Sequence, residues 1–311
     1  MLPKMPPREG QLGFLYLPPY RVQGISVAGE QTTIQIPELD VVFDMGYCTR
    51  SSLSSGTVAL THAHMDHVGA IPYWFSQRHF QKLGTGRVVC HPSIAQPLDR
   101  MMKSWVDLEQ QVTPYEIVPL APGEDLHLKA NIVLRAFETH HTAPSLAYAI
   151  IEKRSKLKPE FADSPQEHIR ELKNKGVEIT TILEIPLIAF TGDTSYCPTL
   201  ECDEFVNARI LLTECTFFAS EHQDRARVGR HLHFSDLKRL LEIWKANHIV
   251  VTHVSRRTSL SFARNEIDSL YNGRYRDRVH LLMDYRNNRK RYERQLEDAS
   301  TMTQETSKSS G

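Results

Sequence analysis

The chain has 311 residues, of which 41% are hydrophobic, and this is enough material for one large domain with a buried core. Lysine plus arginine and aspartate plus glutamate each total 37, so the formal net charge is zero and no global basic field indicates a nucleic-acid partner. Five cysteines without a C-x-x-C pair argue against a disulfide framework, and the lack of a signal core or a long apolar span predicts a soluble cytoplasmic protein without membrane contact.

Short apolar runs alternate with helical patterns along the chain. Runs rich in Val, Ile and Leu predict buried strands at Thr33–Ile36, Asp40–Phe43, Val58–Leu60, Arg87–Cys90, Ile132–Phe137, Ala147–Ile151, Pro186–Phe190, Arg209–Leu212 and His248–Val251. Helical periodicity predicts helices at Ile71–Gln81, Ser93–Val106, Pro165–Lys175, Ser235–Ala246 and Phe262–Tyr271, and Ser235 is a candidate N-cap. This alternation predicts a layered α/β architecture.

No change of composition near the middle of the chain indicates a linker, so residues 1–283 are predicted to form a single domain. From residue 284 the sequence DYRNNRKRYERQLEDASTMTQETSKSSG loses its apolar periodicity and is first basic and then polar. Residues 284–311 are therefore predicted to be a C-terminal tail that is at least partly disordered, above all in its last dozen residues.

Five apolar runs end in a threonine that is followed, at once or one residue later, by a histidine or a carboxylate. They are VALT before His62, AFET before His140 and His141, IAFTG before Asp193, ILLT before Glu214, and IVVT before His253. If these runs are neighbouring strands, their ends converge on one edge, where layered α/β proteins favour binding sites.

The segment His62–His67, HAHMDH, places three histidines and an aspartate within six residues. On a turn after a strand, His62 and His64 can point to one centre while Asp66 and His67 serve an adjacent one. A solvated polar loop is the alternative, but this density of imidazole and carboxylate favours zinc, with manganese or iron as further candidates. Because structural zinc sites are usually rich in thiolates and this cluster has none, a catalytic site is predicted. Two metals about 4 Å apart can activate water for hydrolysis.

THAHMDHVGAIP resembles the HxHxDH signature of the metallo-β-lactamase superfamily. IAFTGDTSYCP, LLTECTFF and IVVTHVSRR are similar to the later motifs of its ribonuclease Z branch, zinc-dependent endonucleases that trim the 3′ trailer of precursor tRNA. The similarity covers roughly Asp40 to Arg257 and implies a single-domain, four-layer αββα sandwich with a dinuclear zinc site at one edge. Asp44, at a predicted strand end beneath that site, is expected to orient a ligand histidine.

The resemblance implies seven ligands for two zinc ions per chain. His62, His64 and His141 would hold one ion, Asp66, His67 and His253 the other, and Asp193 would bridge the two. Both His140 and His141 are available in ETHHTAPSLAY, and the family's spacing to Ala147-Tyr148 favours His141, leaving His140 in a supporting or structural role.

The resemblance also implies catalytic roles. Asp66 would position or deprotonate the attacking water as well as bind metal. Glu214 matches the family glutamate that pairs with a histidine to protonate the leaving group. Counting back from the last ligand histidine favours His231 as this partner, and His233 is the alternative.

Two segments depart from the ribonuclease Z pattern. That family usually carries a glycine- and proline-rich arm, which grips the tRNA elbow, between the counterparts of His141 and Asp193. Here the interval contains EKRSKLKPEFADSPQEHIRELKNKG, which is predicted to be a short basic linker followed by a helix. The family's basic PxKxRN-like loop is not recognisable in LYLPPYRVQGISVAGEQ.

Together these patterns predict a metal-dependent hydrolase whose substrate is a phosphodiester, with RNA as the first choice, and the family resemblance implies precursor tRNA as one such RNA. The enzymatic alternative is a hydrolase of a small phosphodiester or of a carboxyl ester, thioester or lactone. A catalytically idle RNA-binding scaffold is the third hypothesis. It predicts eroded ligands, whereas all seven positions are filled. The resemblance further implies a homodimer.

Overall fold

Two mixed β-sheets lie face to face in the computed structural model, which describes residues 3–7 and 12–308, with the backbone alone for 271 and 302–308. Within these residues each sheet has seven strands. The first sheet follows chain order: β1 (Gly13–Leu17), β2 (Tyr20–Val27), β3 (Gln31–Ile36), β4 (Val41–Phe43), β5 (Thr57–Ala59), β6 (Arg87–Cys90) and β7 (Glu116–Pro119). The second does the same: β8 (Asp125–Lys129), β9 (Ile132–Glu138), β10 (Leu146–Leu157), β11 (Thr180–Phe190), β12 (Ile210–Glu214), β13 (His248–Thr252) and β14 (Val279–Leu281).

Helices cover the outer faces of both sheets. In chain order they are α1 (Met65–Val68), α2 (Ile71–Phe80), α3 (Pro92–Glu109), α4 (Gln166–Asn174), α5 (Asp203–Val206), α6 (Gln223–Gly229), α7 (Phe234–Ile243), α8 (Leu260–Ser269) and α9 (Tyr285–Lys308). Among the helices that the structure describes, none combines the length and the apolar character that a membrane crossing requires.

The core is divided into three apolar layers. Between the sheets, side chains such as Phe43 from the first sheet and Phe190 from the second are buried, with their ring centroids 5.1 Å apart. Trp74 of α2 belongs to the layer outside the first sheet, and Leu237 and Leu241 of α7 belong to the layer outside the second. Because each sheet buries both faces, its central strands consist of nearly continuous apolar runs. The expected four-layer αββα sandwich is confirmed.

Strand direction brings the polar segments to one edge. In the first sheet β4, β5 and β6 are mutually parallel, and in the second β11, β12 and β13 are mutually parallel. Strand β9 is antiparallel to β10, which is antiparallel to β11, so β9 runs in the same direction as β11. The carboxyl ends of β9, β11, β12 and β13 therefore lie at the same edge of their sheet.

The predicted strands and helices all coincide with elements of the structure, but five strands were not predicted: β1, β2, β7, β8 and β14. Strands β10 and β11 are also longer than expected, since they pair as far as Leu157 and Thr180. The segment predicted as a basic linker is thus partly the outer half of β10, which forms a β-hairpin with β11, and α4 lies in the connection between these two strands. Its charged side chains hide the strand pattern, because backbone pairing rather than side-chain burial maintains this part of the sheet.

Helix α7 begins at Phe234, and its N-cap is His233 rather than the expected Ser235. A ring nitrogen of His233 accepts a hydrogen bond from the Ser235 N–H, and the Asp236 carboxylate accepts one from the His233 N–H. These reciprocal bonds form a capping box in which an imidazole replaces the usual hydroxyl or carboxylate cap.

The C-terminal segment contains helix α9, and the partial disorder predicted for its last dozen residues stays a prediction. The Tyr292 ring packs edge-on against Phe14, and the Gln295 side chain donates a hydrogen bond to the carbonyl of Tyr16, so α9 packs against β1. The helical backbone continues to Lys308, and residues 309–311 lie outside the described residues. Few apolar side chains anchor α9 among many charged ones, which is why its periodicity is weak.

Close packing at Gly46 fixes the loop after β4 against α1. A methyl group at this position would lie 1.8 Å from the carbonyl oxygen of Asp66, a main-chain atom that cannot rotate away. We expect Gly46→Ala to lower the free energy of unfolding by about 1–3 kcal/mol, as overpacking typically does. Gly56→Ala is the matched control, since its new methyl would meet the flexible Asp40 carboxylate at 3.3 Å. Equal urea midpoints for the two variants would contradict this account.

Candidate metal centre

The segments that follow β5, β9, β11 and β13, including the short helix α1 after β5, bring the seven predicted ligand residues together. Their donor atoms form overlapping groups in which all atoms lie within 4.8 Å of one another. One group contains His62, His64 and His141, another contains Asp66, His67 and His253, and Asp193 joins His62 and His67 in a third. The convergence expected from the threonine-ended runs is therefore present in the fold.

The first group is made of three imidazoles. His62 Nε2 lies 2.9 Å from His64 Nδ1, and His141 Nε2 lies 3.2 Å from the same nitrogen. Both His62 and His141 are buried, whereas the adjacent His140 is exposed and does not occur in any of the donor groups among the described residues. The choice of His141 over His140 agrees with this geometry.

The second group combines two imidazoles with a carboxylate. His253 Nε2 lies 3.4 Å from His67 Nε2 and 3.3 Å from Asp66 Oδ2. The same oxygen of Asp66 accepts a hydrogen bond from the Gly29 N–H at 2.8 Å, which ties it to the turn between β2 and β3.

Asp193 lies between the two groups. Its Oδ2 is 4.0 Å from His62 Nε2, 3.4 Å from His67 Nε2 and 3.2 Å from His253 Nε2. One carboxylate oxygen therefore approaches histidines of both groups, as a bridging ligand must.

A second contact orients four of the histidines by holding the ring nitrogen that points away from the centre. The Nδ1 atoms of His62, His67, His141 and His253 contact Thr61 Oγ1, Asp44 Oδ2, the Arg230 carbonyl and Thr216 Oγ1, respectively, at 2.8–3.1 Å. Such contacts fix ring orientation and tautomer, so that each Nε2 faces the centre. The expected contact of Asp44 with a ligand histidine is present, at His67.

The centre concentrates negative charge. Asp44, Asp193 and Glu214 are buried and Asp66 is half-buried, and within the part of the chain that the structure describes their ion-pair partners are histidines, with no lysine or arginine. Burial opposes ionisation of Asp66 and Asp193, but His67 and His253 outweigh it and hold the pKa of both carboxyls far below the usual range.

The donor set fits divalent cations. Burial lowers the pKa of His62 and of His141, which keeps them as neutral imidazoles able to donate a lone pair. Burial likewise opposes protonation of His67, yet Asp193 and Asp44 raise its pKa, a sign of the negative potential at this position. Buried carboxylates without cationic side chains are unfavourable unless a cation neutralises them, and imidazole with carboxylate suits zinc, manganese or iron.

Two residues at the edge have left-handed backbone conformations. Asp44 has φ of 58° and His253 has φ of 55°. Such values are uncommon outside glycine, although Asp and His tolerate them better than most residues. The main-chain N–H of Asp44 bonds to the carbonyl of Ala59, and that of His253 bonds to Ser26 Oγ, so hydrogen bonds hold both conformations in place.

Glu214 and His231 form a pair next to the seven candidate ligands, and both occur in further donor groups, His141–Asp193–His231 and Glu214–His231–His253. The Glu214 carboxylate accepts hydrogen bonds from the Thr194 N–H and the Thr216 hydroxyl, and its Oε1 lies 3.0 Å from His231 Nδ1. Although burial lowers the pKa of His231, the charge and hydrogen bond of Glu214 outweigh it and raise that pKa to about 9. The imidazole is therefore protonated near neutral pH and can act as an acid.

His233 does not lie in this pair. Its Nδ1 accepts the capping bond of α7, and its Nε2 lies 3.1 Å from the carbonyl of Ala219. Both ring nitrogens are engaged outside the donor groups, so the structure places His231, and not His233, against Glu214.

Three orienting residues were not identified from the sequence. Thr61 and Thr216 contact the rings of candidate ligands, His62 and His253, through their hydroxyls, and the only signal for Thr61 is its place at the end of an apolar run. The Arg230 guanidinium donates to the carbonyl of His141 at 2.7 Å while the Arg230 carbonyl contacts the His141 ring. No sequence pattern marks Arg230, because it lies far from His141 along the chain.

Comparison with known proteins assigns the chain that carries this site to a family. The model of the β-lactamase superfamily domain matches residues 52–254, which include all seven candidate ligands. The chloroplastic tRNase Z TRZ2 of Arabidopsis thaliana is 34% identical over 254 residues, covering 80% of this chain and 71% of the relative. The chain belongs to the ribonuclease Z branch of the β-lactamase superfamily. It is accordingly an enzyme of the hydrolase class.

Other ribonuclease Z relatives and solved structures agree. tRNase Z TRZ1 of Arabidopsis thaliana is 28% identical over 81% of this chain and 91% of its own length. The crystal structure of the short form of human tRNase Z matches with a TM-score of 0.55 and 16% identity, covering 87% of this chain and 95% of that one. YhfI from Bacillus subtilis, a metallo-β-lactamase fold protein, matches with a TM-score of 0.56, 16% identity and coverage of 83% and 93%. These structures show the fold.

The Asp44–His67 contact generates a prediction about metal affinity. Asp44→Asn removes the charge that orients the His67 ring, and we expect zinc affinity to fall by about tenfold to a hundredfold, as with other orienting carboxylates. Competition with a chromophoric chelator measures this affinity. Asp40→Asn is the matched control, because Asp40 also has φ of 58° and flanks the other end of β4, but its side chain bonds to the Gly56 N–H. Equal affinity of both variants would disprove the role of Asp44.

Proposed function

We propose that the protein is a zinc-dependent endoribonuclease that removes the 3′ trailer from precursor tRNA. The observation that carries the proposal is the contact of His231 Nδ1 with Glu214 Oε1 at 3.0 Å, next to the two donor groups, which places a candidate leaving-group acid beside a candidate metal centre. The names of the relatives, tRNase Z and ribonuclease Z, support tRNA as the substrate. The filled donor positions argue against an idle scaffold, and nothing in the site specifically favours a small ester or thioester.

The proposed ligands are those expected from the family resemblance. His62, His64 and His141 would hold one zinc ion, Asp66, His67 and His253 the other, and Asp193 would bridge them. When bound, such ions polarise a phosphoryl oxygen and lower the pKa of water. Asp66 orients the attacking water and accepts hydrogen bonds within the site. His231 donates its proton to the departing ribose oxygen, and Glu214 stabilises the protonated imidazole before transfer.

The β10–β11 hairpin occupies the interval in which ribonuclease Z carries its arm. Two of its cations are ion-paired within the protein: Lys153 with Asp125 and Glu184, and Arg154 with Glu152. A phosphate backbone would have to compete with these carboxylates for Lys153 and Arg154, whereas Lys156 is exposed and forms no ion pair among the described residues. The homodimer and the cytoplasmic location stay predictions, since the relatives include chloroplastic and nuclear proteins.

His231 and His233 give a paired test of the acid. His231→Ala is expected to lower kcat by roughly a hundredfold to ten-thousandfold, because it removes a general acid. His233→Ala is expected to retain kcat and to lower the free energy of unfolding by about 1 kcal/mol through loss of the α7 cap. Steady-state cleavage and urea unfolding measure the two effects. If His233→Ala lowered kcat and His231→Ala lowered only the free energy of unfolding, the choice of His231 would be wrong.

The substrate is tested with precursor tRNA that carries or lacks a 3′ trailer. The zinc-loaded protein should cleave only the RNA with the trailer, at its junction with the mature tRNA, and Asp66→Ala should abolish turnover. Bis(p-nitrophenyl) phosphate and a thioester panel serve as comparison substrates. If the protein hydrolyses bis(p-nitrophenyl) phosphate but does not cleave tRNA, a small phosphodiester is the better candidate substrate. If Asp66→Ala keeps near-wild-type turnover, the proposed role of Asp66 in the reaction is wrong.

A further inference from the structure

A cavity of about 480 Å³ lies next to the metal centre, between the end of β2, the loop after β13 and the start of α8. Val27, Val254, Leu260 and Met283 contribute apolar surface to it, and Gln31, Thr258 and Arg256 contribute polar groups. Its volume falls within the range of small-molecule binding sites, and its lining combines apolar walls with a few polar groups as such sites do.

The cavity and the metal centre share main-chain segments. Ser26, which lines the cavity, accepts a hydrogen bond through Oγ from the His253 N–H at 2.9 Å. Val27 forms a parallel bridge with Val254, the residue after His253. The same turn donates the Gly29 N–H to Asp66 Oδ2. A group held in the cavity would therefore lie beside a phosphodiester held at the centre.

The hydroxyl of Thr258 lacks a partner within the structure described. Thr258 is 6% exposed, lines the cavity, and its Oγ1 is buried without a hydrogen bond. An unsatisfied buried hydroxyl is unfavourable, and groups of this kind call for an explanation. A ligand that brings a hydrogen-bonding edge into the cavity would satisfy it.

We infer that this cavity binds one unpaired nucleobase of the RNA substrate, next to the cleaved bond. The inference rests on the proposed endoribonuclease function. A nucleobase has apolar faces that suit walls such as Leu260 and Met283, and a polar edge that can bond to Thr258. Proteins commonly read single-stranded RNA through such splayed-out bases. Arg256, ion-paired with Glu30 at the rim, and the exposed Arg257 add positive charge where the adjoining phosphates would run.

Thr258→Val tests the hydrogen bond with little change of shape. We expect KM for a cleaved RNA to rise about fivefold, which corresponds to one lost hydrogen bond, while thermal stability is retained or increased because the unsatisfied hydroxyl is gone. Thr113→Val is the matched control. Thr113 is 2% exposed, its Oγ1 is also buried without a partner, and it lies in the loop between α3 and β7. This control is expected to leave KM unchanged.

RNAs in which each nucleotide near the cleaved bond is replaced in turn by an abasic one identify the bound base. At one position the abasic RNA should raise the wild-type KM, and Thr258→Val should add nothing further with that RNA. Leu260→Trp, which fills the cavity, should raise KM for the intact RNA at least tenfold and also lose its effect on that abasic RNA.

The outcomes separate the two proposals. If the wild-type protein hydrolyses bis(p-nitrophenyl) phosphate but cleaves no RNA, the proposed function fails and the inference fails with it. If RNA is cleaved but Thr258→Val and Leu260→Trp keep the wild-type KM, the inference alone is wrong. It is also wrong if both variants raise KM equally with every abasic RNA, since the cavity then contacts something other than a base.

Discussion

Negative charge at one sheet edge, in buried or half-buried positions, is the constraint on which the rest of the site depends. Asp44, Asp66, Asp193 and Glu214 are surrounded by histidines, and their ion pairs among the described residues involve no lysine or arginine. Isolated carboxylates in such surroundings would take up protons or destabilise the fold. Imidazoles that present lone pairs to the same space make the edge suitable for cations instead. Folding, ionisation and metal binding are thus coupled at this edge.

Contacts between residues that lie far apart in the sequence fix the orientation of the side chains at this edge. Asp44 orients His67, Thr216 orients His253, and Arg230 holds His141 through both its carbonyl and its guanidinium. Rigid strands place these groups, and short loops with left-handed residues turn the side chains inward. Preorganisation of this kind is what a hydrolytic centre needs, because ligands that have to reorganise weaken both binding and catalysis.

Substrate recognition involves surfaces other than the candidate metal centre. In the β10–β11 hairpin, Lys153 is ion-paired with Asp125 of β8 and Arg154 with Glu152. The cavity beside His253 offers apolar walls and an unsatisfied hydroxyl instead. Under the proposed function, this cavity would place part of the RNA recognition close to the cleaved bond.

Local patterns in the sequence determined much of this protein: the buried strands, the main helices and the cluster of donor residues at His62–His67, while the family resemblance supplied His141, Asp193 and His253 as further candidate ligands. They did so because burial on both sheet faces and clustered metal-ligating side chains leave short-range signatures such as HAHMDH. The tertiary structure alone decided that His231 meets Glu214 while His233 caps α7, that Arg230 holds His141, and that α9 packs on β1. Each of these depends on a contact between segments brought together by packing, and no local periodicity records such contacts.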